Sequence, residues 1–180
     1  MKIGLVRHFK VKKDFPKKFL LTQQELSQWI QEYDVADIEE GEVDLGNIAW
    51  KRCFTSDLPR AEKTARKIYQ GPITVTKALR EIPICPLFRN QEVKLPLWAW
   101  GLIMRGAWLC NHRSQIEVKQ DVQRRLTDVI DEIMSRNGED TLIVSHGILM
   151  VSIRQELLKR GFKGPRLGTP ANGRMYVFEK

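Results

Sequence analysis

The sequence predicts an α/β fold in which a largely parallel sheet is covered by helices. Three observations carry this. Short aliphatic runs alternate with stretches of helical periodicity along the whole chain, the pattern of strand-helix-strand units. Two of those runs, residues 3–6 and 142–144, stop abruptly at or near a histidine, as fully buried strands do on reaching a sheet edge. The chain has 180 residues, 42% hydrophobic and 29% charged, which is apolar enough for one sizeable core and unlike a disordered or fibrous chain.

The elements follow in order. Residues 3–6 make the first strand, ending at Arg7-His8, and a basic loop around Pro16 spans residues 10–18. Thr22-Gln23-Gln24-Glu25 is a capping box in which the Thr oxygen and the Glu carboxylate each satisfy a free backbone N–H. Leu26, Trp29, Ile30 and Tyr33 then recur at helical spacing, so a helix runs from about 23 to 33. Residues 52–55 make a second strand that ends at Ser56. Ser56 or Asp57 caps the next helix, Pro59 fits its first turn, and Ala61, Ala65 and Ile68 form its apolar face, which places Arg60 in the first turn.

The β-branched residues 73–75 give a third strand before Leu79-Arg80-Glu81. Pro83, Pro86 and Pro96 break the next segment, and residues 97–109 are read as helical. An amphipathic helix over 121–134 buries Val122, Leu126, Val129, Ile130 and Ile133 and stops at Asn137-Gly138. A strand over 141–144 leads to Ser145-His146-Gly147 and a helical stretch carrying Ile148, Val151, Leu157 and Leu158, and residues 175–178 make the last strand. With no repeat, low-complexity stretch or linker, residues 1–180 are expected to form one domain.

Composition narrows the function classes. The start offers few apolar residues before Arg7, so no signal peptide is expected, and the apolar stretch 95–109 is interrupted by Arg105 and is shorter than a bilayer span. No membrane association is expected. Cys53, Cys85 and Cys110 form no CxxC pair, which leaves neither a disulfide framework nor a zinc knuckle and suits reduced thiols in a cytoplasm. The net charge of +8 invites an anionic partner, yet it is unevenly spread. Residues 1–20 carry seven Lys or Arg against one Asp, whereas residues 21–50 carry eight acids and no Lys or Arg, which argues against a continuous nucleic-acid stripe. There is no GxGxxG, GxxxxGK[ST] or GxSxG motif and no His pair at metal-ligand spacing, so no cofactor or metal is implied.

The chemistry gathers at strand ends. In open α/β sheets ligands bind outside the carboxyl ends of strands, so His8 and His146 are expected to share a site. Arg7 and Arg60 add cations there, since guanidinium groups and helix N-termini both favour phosphate oxygens. At this point a family resemblance emerges. Leu5-Val6-Arg7-His8 resembles the start of the LVRHG signature of the histidine phosphatase superfamily, whose relatives include phosphoglycerate mutases. Residues 55–65, TSDLPRAEKTA, resemble its second block, Leu79-Arg80-Glu81 is similar to its L-x-E element, and Val144-Ser145-His146-Gly147 to its late VSHG block.

The resemblance implies a three-layer α/β/α sandwich and a metal-independent phosphatase. His8 is then the nucleophile that forms a phosphohistidine, Arg7, Arg60 and His146 bind the phosphoryl oxygens, and Gly147 joins the substrate-binding set. Glu81 serves as general acid and later base, a role that begins from a protonated carboxyl. A small phosphorylated molecule is the implied substrate. Two rivals stay open: a phosphoglycerate mutase, which generally carries longer insertions, and a phospholigand-binding module that has lost turnover. Two positions depart from the pattern. Phe9 replaces the usual glycine, so access is expected to be altered or specificity narrowed, and Asp14 stands where relatives often carry an asparagine, where it repels phosphate unless it points away or Lys10, Lys12 and Lys13 offset it.

Residues 82–112 coincide with the segment that faces substrate in relatives. Trp98, Trp100, Trp108 and Phe88 line a pocket there, form a homodimer patch or fill a helical core, and Arg89, Lys94, Arg105, His112 and Arg113 are the cations available for specificity.

Overall fold

The computed structural model describes residues 1–83, 92–135 and 138–180. In chain order it contains β1 (Lys2–Arg7), β2 (Leu21–Thr22), α1 (Gln23–Val35), β3 (Arg52–Ser56), α2 (Pro59–Ile68), β4 (Ile73–Thr76), a 3-10 turn (Lys77–Leu79), β5 (Lys94–Leu95), α3 (Leu97–Leu109), α4 (Lys119–Met134), β6 (Thr141–Ser145), α5 (Gly147–Lys159) and β7 (Met175–Glu179). The main sheet has the order β4-β3-β6-β1-β7. Its first four strands are parallel, and β7 closes the edge antiparallel to β1.

Alternation along the strands builds a layer on each face of the sheet. Ile3, Leu5, Phe54, Ile143 and Phe178 pack with the apolar stripes of α4 and α5, including Leu126, Ile130, Ile153 and Leu157. Val6, Cys53, Leu142 and Val144 point the other way, onto Ala61 and Ala65 of α2. The small side chains of α2 let its backbone lie close to the sheet. This is the expected three-layer α/β/α arrangement. A third cluster joins α1 to α3 through Leu26, Trp100 and Met104, roofed by the β2-β5 ribbon, which pairs Leu21 with Leu95.

Two local expectations are corrected. The N-cap of α2 is Leu58, not Ser56 or Asp57; Pro59 follows directly, and the Leu58 N–H donates to Ser56 Oγ at 3.2 Å. Asp57 instead takes Arg80 in two 2.6 Å bonds, so its carboxylate is spent on an ion pair and not on a helix terminus. The tryptophans divide: Trp100 is fully buried and donates Nε1–H to the Leu21 carbonyl at 2.8 Å, Trp108 is buried beside a cavity, and Trp98 is exposed. Phe88, Arg89, Cys85 and the Asn137 stop signal lie outside the described residues. Among the described residues, no helix is long and apolar enough to cross a membrane.

Candidate active site

Strand register brings the two histidines together. Arg7 of β1 lies opposite Ser145 of β6, so the next residues, His8 and His146, leave neighbouring strand ends at the same carboxyl edge. The His8 N–H donates to the Ser145 carbonyl at 3.0 Å, and the two rings stand 5.1 Å apart between centroids. They are only 3% and 1% exposed. Ser145 Oγ in turn donates to the Leu79 carbonyl at 3.0 Å, which anchors the turn before Glu81 to the same edge.

His8 Nδ1 lies 2.6 Å from the Phe9 carbonyl oxygen. A carbonyl oxygen only accepts, so Nδ1 carries the hydrogen and Nε2 keeps its lone pair. Burial lowers the His8 pKa to about 3; the Phe9 hydrogen bond works against this, and the positive charges of Arg60 and Arg7 add to it. Burial also holds His146 well below the ordinary histidine range, followed by the charges of Arg60, His8, Arg7 and Arg125. Both rings are therefore neutral near pH 7, and His8 presents an unprotonated nitrogen.

Two guanidinium groups face these rings. Arg7 anchors Nη1 on the Pro170 carbonyl at 2.6 Å, and Arg60 anchors Nη1 on Asp34 at 2.7 Å, with its Cζ 5.2 Å from the Tyr33 ring centroid. Each keeps a buried Nε without a hydrogen-bond partner among the described residues, as do both ring nitrogens of His146. Buried donors are normally satisfied, and one left unpaired costs about 1–3 kcal/mol. Several such groups converging beside a neutral histidine make a socket for an oxyanion. The cleft has a volume of about 330 Å³, and Arg7, His8, Arg60, Glu81, His146 and Gly147 all line it. The six residues singled out from sequence thus meet in one place.

Glu81 is held by backbone N–H groups. Its Oε1 accepts from the Ile82 and Leu149 N–H groups at 3.0 and 3.1 Å, and its Oε2 from the Ile148 N–H at 3.1 Å. The carboxylate thereby serves the first turn of α5 from outside the helix. These three contacts fix the carboxyl group at the start of α5, on the wall of the cleft. Gly147 opens α5 against Arg7, whose guanidinium lies 3.3 Å from where a Cβ would stand.

Neither departure from the family pattern obstructs the cleft. The Phe9 ring is 4% exposed and turned into the protein, 2.8 Å from where a Cβ on Gly41 would sit and 3.0 Å from one on Gly173. Only glycines leave it that room, and Gly173 also needs its φ of +65°. The Phe9 N–H donates to Thr64 Oγ1 at 3.0 Å, so the backbone after His8 is fixed to α2. Asp14 is exposed and does not line the cleft. The lysines expected to offset it already pair with the acidic block, Lys10 with Glu39, Lys12 with Asp37 and Lys13 with Glu32.

Sequence reasoning missed Asp34, Tyr33 and Arg80 at the cleft wall and Asn172, which donates Nδ2–H to the His8 carbonyl at 2.8 Å. Asn172-Gly173 reads as a turn, yet nothing local shows where that turn docks. Of the cations named for specificity, Arg105 lines a neighbouring cavity, whereas Lys94, His112 and Arg113 line neither it nor the cleft. Among the described residues, no group of three or more His, Cys, Asp or Glu side chains is placed to hold a metal ion.

Comparison with known proteins agrees with this fold. Residues 35–179 match the model of the histidine phosphatase superfamily (branch 1), a span that holds Arg60, Glu81 and His146 and begins after His8. Among solved structures, Bacillus stearothermophilus YhfR is similar at 21% identity with a TM-score of 0.62, covering 99% of this chain and 90% of its own. A putative alpha-ribazole-5'-P phosphatase from Escherichia coli K-12 shares 20% identity with a TM-score of 0.55, over 98% of this chain and 89% of its own. The mycobacterial glucosyl-3-phosphoglycerate phosphatase Rv2419c, solved with VO3, shares 18% identity with a TM-score of 0.55, over 98% and 91%. No curated protein matches the sequence.

Proposed function

Because this chain belongs to the histidine phosphatase superfamily, we propose that it hydrolyses a phosphate monoester through a phosphohistidine on His8. The observation that carries the reading is the set of buried, unpartnered donors on Arg7, Arg60 and His146 around a histidine whose Nε2 is free of its proton. His8 Nε2 attacks phosphorus as the bond from phosphorus to the ester oxygen breaks, and the alcohol leaves. Arg7, Arg60, His146 and the Gly147 backbone hold the phosphoryl oxygens and offset their charge in the transition state. Water then attacks the phosphohistidine, restoring neutral His8 and releasing inorganic phosphate.

Glu81 moves the protons in this scheme. As a carboxylate it takes a proton from the attacking water in the second half-reaction. A substrate that enters as the monoanion brings the proton that Glu81 relays to the leaving oxygen in the first. Hydrolysis rather than mutase transfer agrees with the names of two of the solved relatives, both phosphatases. Cys53 and Cys110, free thiols in the structure, suit a cytoplasmic setting.

The test is a chelator-treated assay with p-nitrophenyl phosphate and a panel of small phosphate esters. Wild type is expected to release phosphate, and His8→Ala to lose at least about a thousandfold in turnover. Full turnover by His8→Ala overturns the mechanism, and wild type that binds phosphate but hydrolyses no ester supports the binding-module alternative instead.

A further inference from the structure

The phosphoryl cleft shares Arg7, Glu81 and Gly147 with a second, larger cavity of about 540 Å³. A ligand whose phosphate sits on Arg7 therefore meets this cavity next. Trp108 of α3, Val122 of α4 and Ile148 and Val151 of α5 form its walls, which suit an apolar body. Its volume lies within the range of about 300–1,000 Å³ common for small-molecule sites.

Two more cations stand on these walls, Arg105 and Lys119. The Arg105 Cζ lies 5.6 Å from the Trp108 ring centroid, so the guanidinium is stacked on the wall and pre-organised. Lys119 is the first residue of α4, where the helix dipole disfavours a cation. Neither has an ion-pair partner among the described residues. Glu81 is the one acid on the described wall, and its carboxylate is taken by three backbone N–H groups. The cavity is thus apolar in body, and the three cations on its described wall, Arg7, Arg105 and Lys119, outnumber the one acid, Glu81, whose charge acts on Arg105.

We propose that this cavity is the subsite for the alcohol portion of the substrate, and that it selects esters whose alcohol joins an apolar body to a second anionic group, a carboxylate or a phosphate, bound by Arg105 and Lys119. The inference rests on the phosphatase reading for the placement of the first phosphate. It assigns to these two residues a specificity role and no part in the bond-breaking step.

Two non-hydrolysable probes of equal shape test it: 3-carboxyphenylphosphonate and its neutral isostere 3-carbamoylphenylphosphonate, titrated calorimetrically into the whole protein. Wild type is expected to bind the carboxylate about tenfold more tightly, the contribution of one charge-assisted contact. Arg105→Met, which keeps the stem over Trp108, and the exposed Lys119→Gln are each expected to bring that ratio toward one. Equal affinities in wild type, or a preference that survives in both variants, overturn the subsite. Turnover of 3-carboxyphenyl phosphate and p-nitrophenyl phosphate, measured alongside, reports on the phosphatase reading separately: absence of both with the carboxylate preference intact sinks the enzyme reading and leaves the cavity as a binding site for the anionic ligand.

Discussion

His8 and His146 are legible in the sequence because each follows an aliphatic run that can only be a buried strand. What the sequence does not show is their charge. That depends on burial to 3% and 1% exposure and on two guanidinium groups brought in from elsewhere, so it becomes readable only once the chain is folded. The same holds for Asp34 on Arg60 and for Asn172 on the His8 carbonyl, contacts that span 26 and 164 residues. The lowered histidine pKa values have a consequence for stability. The unfolded chain takes up protons at both side chains below about pH 6.5 while the native protein refuses them, for His8 until about pH 3. Their contribution is therefore complete above pH 6.5 and is lost as pH falls. Between pH 6.5 and pH 5 His8 alone is expected to cost roughly 1.5 kcal/mol of unfolding free energy, and His146 acts in the same direction. Urea titrations across that range check it, with His8→Ala reducing the slope; a flat profile would place the rings in a solvated setting.

At the scale of elements, periodicity located the main strands and long helices because each buries a face that sets its spacing. The β2-β5 ribbon escaped because two residues per strand carry no period, and the α2 cap because Asp57 was taken by Arg80. Phe9 shows how an element boundary hides its purpose. Read against a family pattern it looks like an obstruction at the active site, whereas its ring is a core residue held between Gly41 and Gly173, locking the loop that carries Gly173 to the end of β1 through the Gly173 N–H and the Arg7 carbonyl at 2.9 Å. Phe9→Gly, which restores the family residue, is therefore expected to lose about 3–5 kcal/mol of stability, by cavity formation and added backbone freedom. Chemical denaturation measures this, and a variant as stable as wild type would show that the ring contributes nothing to the core.

Over the whole molecule, the charge of +8 sorts into a basic start and an acidic block that nearly cancel, followed by a basic remainder. The basic start pairs with the acidic block through Lys10 and Glu39, Lys13 and Glu32, and Lys18 and Glu25, and Lys63 and Lys67 of α2 reach Asp37 and Glu40 of the same block. These pairs lie at the surface, where solvent screens them, so they orient the segment between β1 and β3 more than they stabilise it. The proposed reaction uses only the few cations with unsatisfied or unpaired groups at the two connected cavities. Their position, and not the net charge, points to a phosphorylated substrate.

In the proposed reaction the phosphoryl group passes through His8, where it can be trapped. Wild type mixed with p-nitrophenyl phosphate, quenched in alkali within its first turnovers and mapped by peptide mass spectrometry, is expected to carry one phosphoryl group on His8 that acid removes and that His8→Ala never acquires. An enzyme that releases phosphate at full rate with His8 unmodified throughout, or with the phosphoryl group on another residue, would contradict the account.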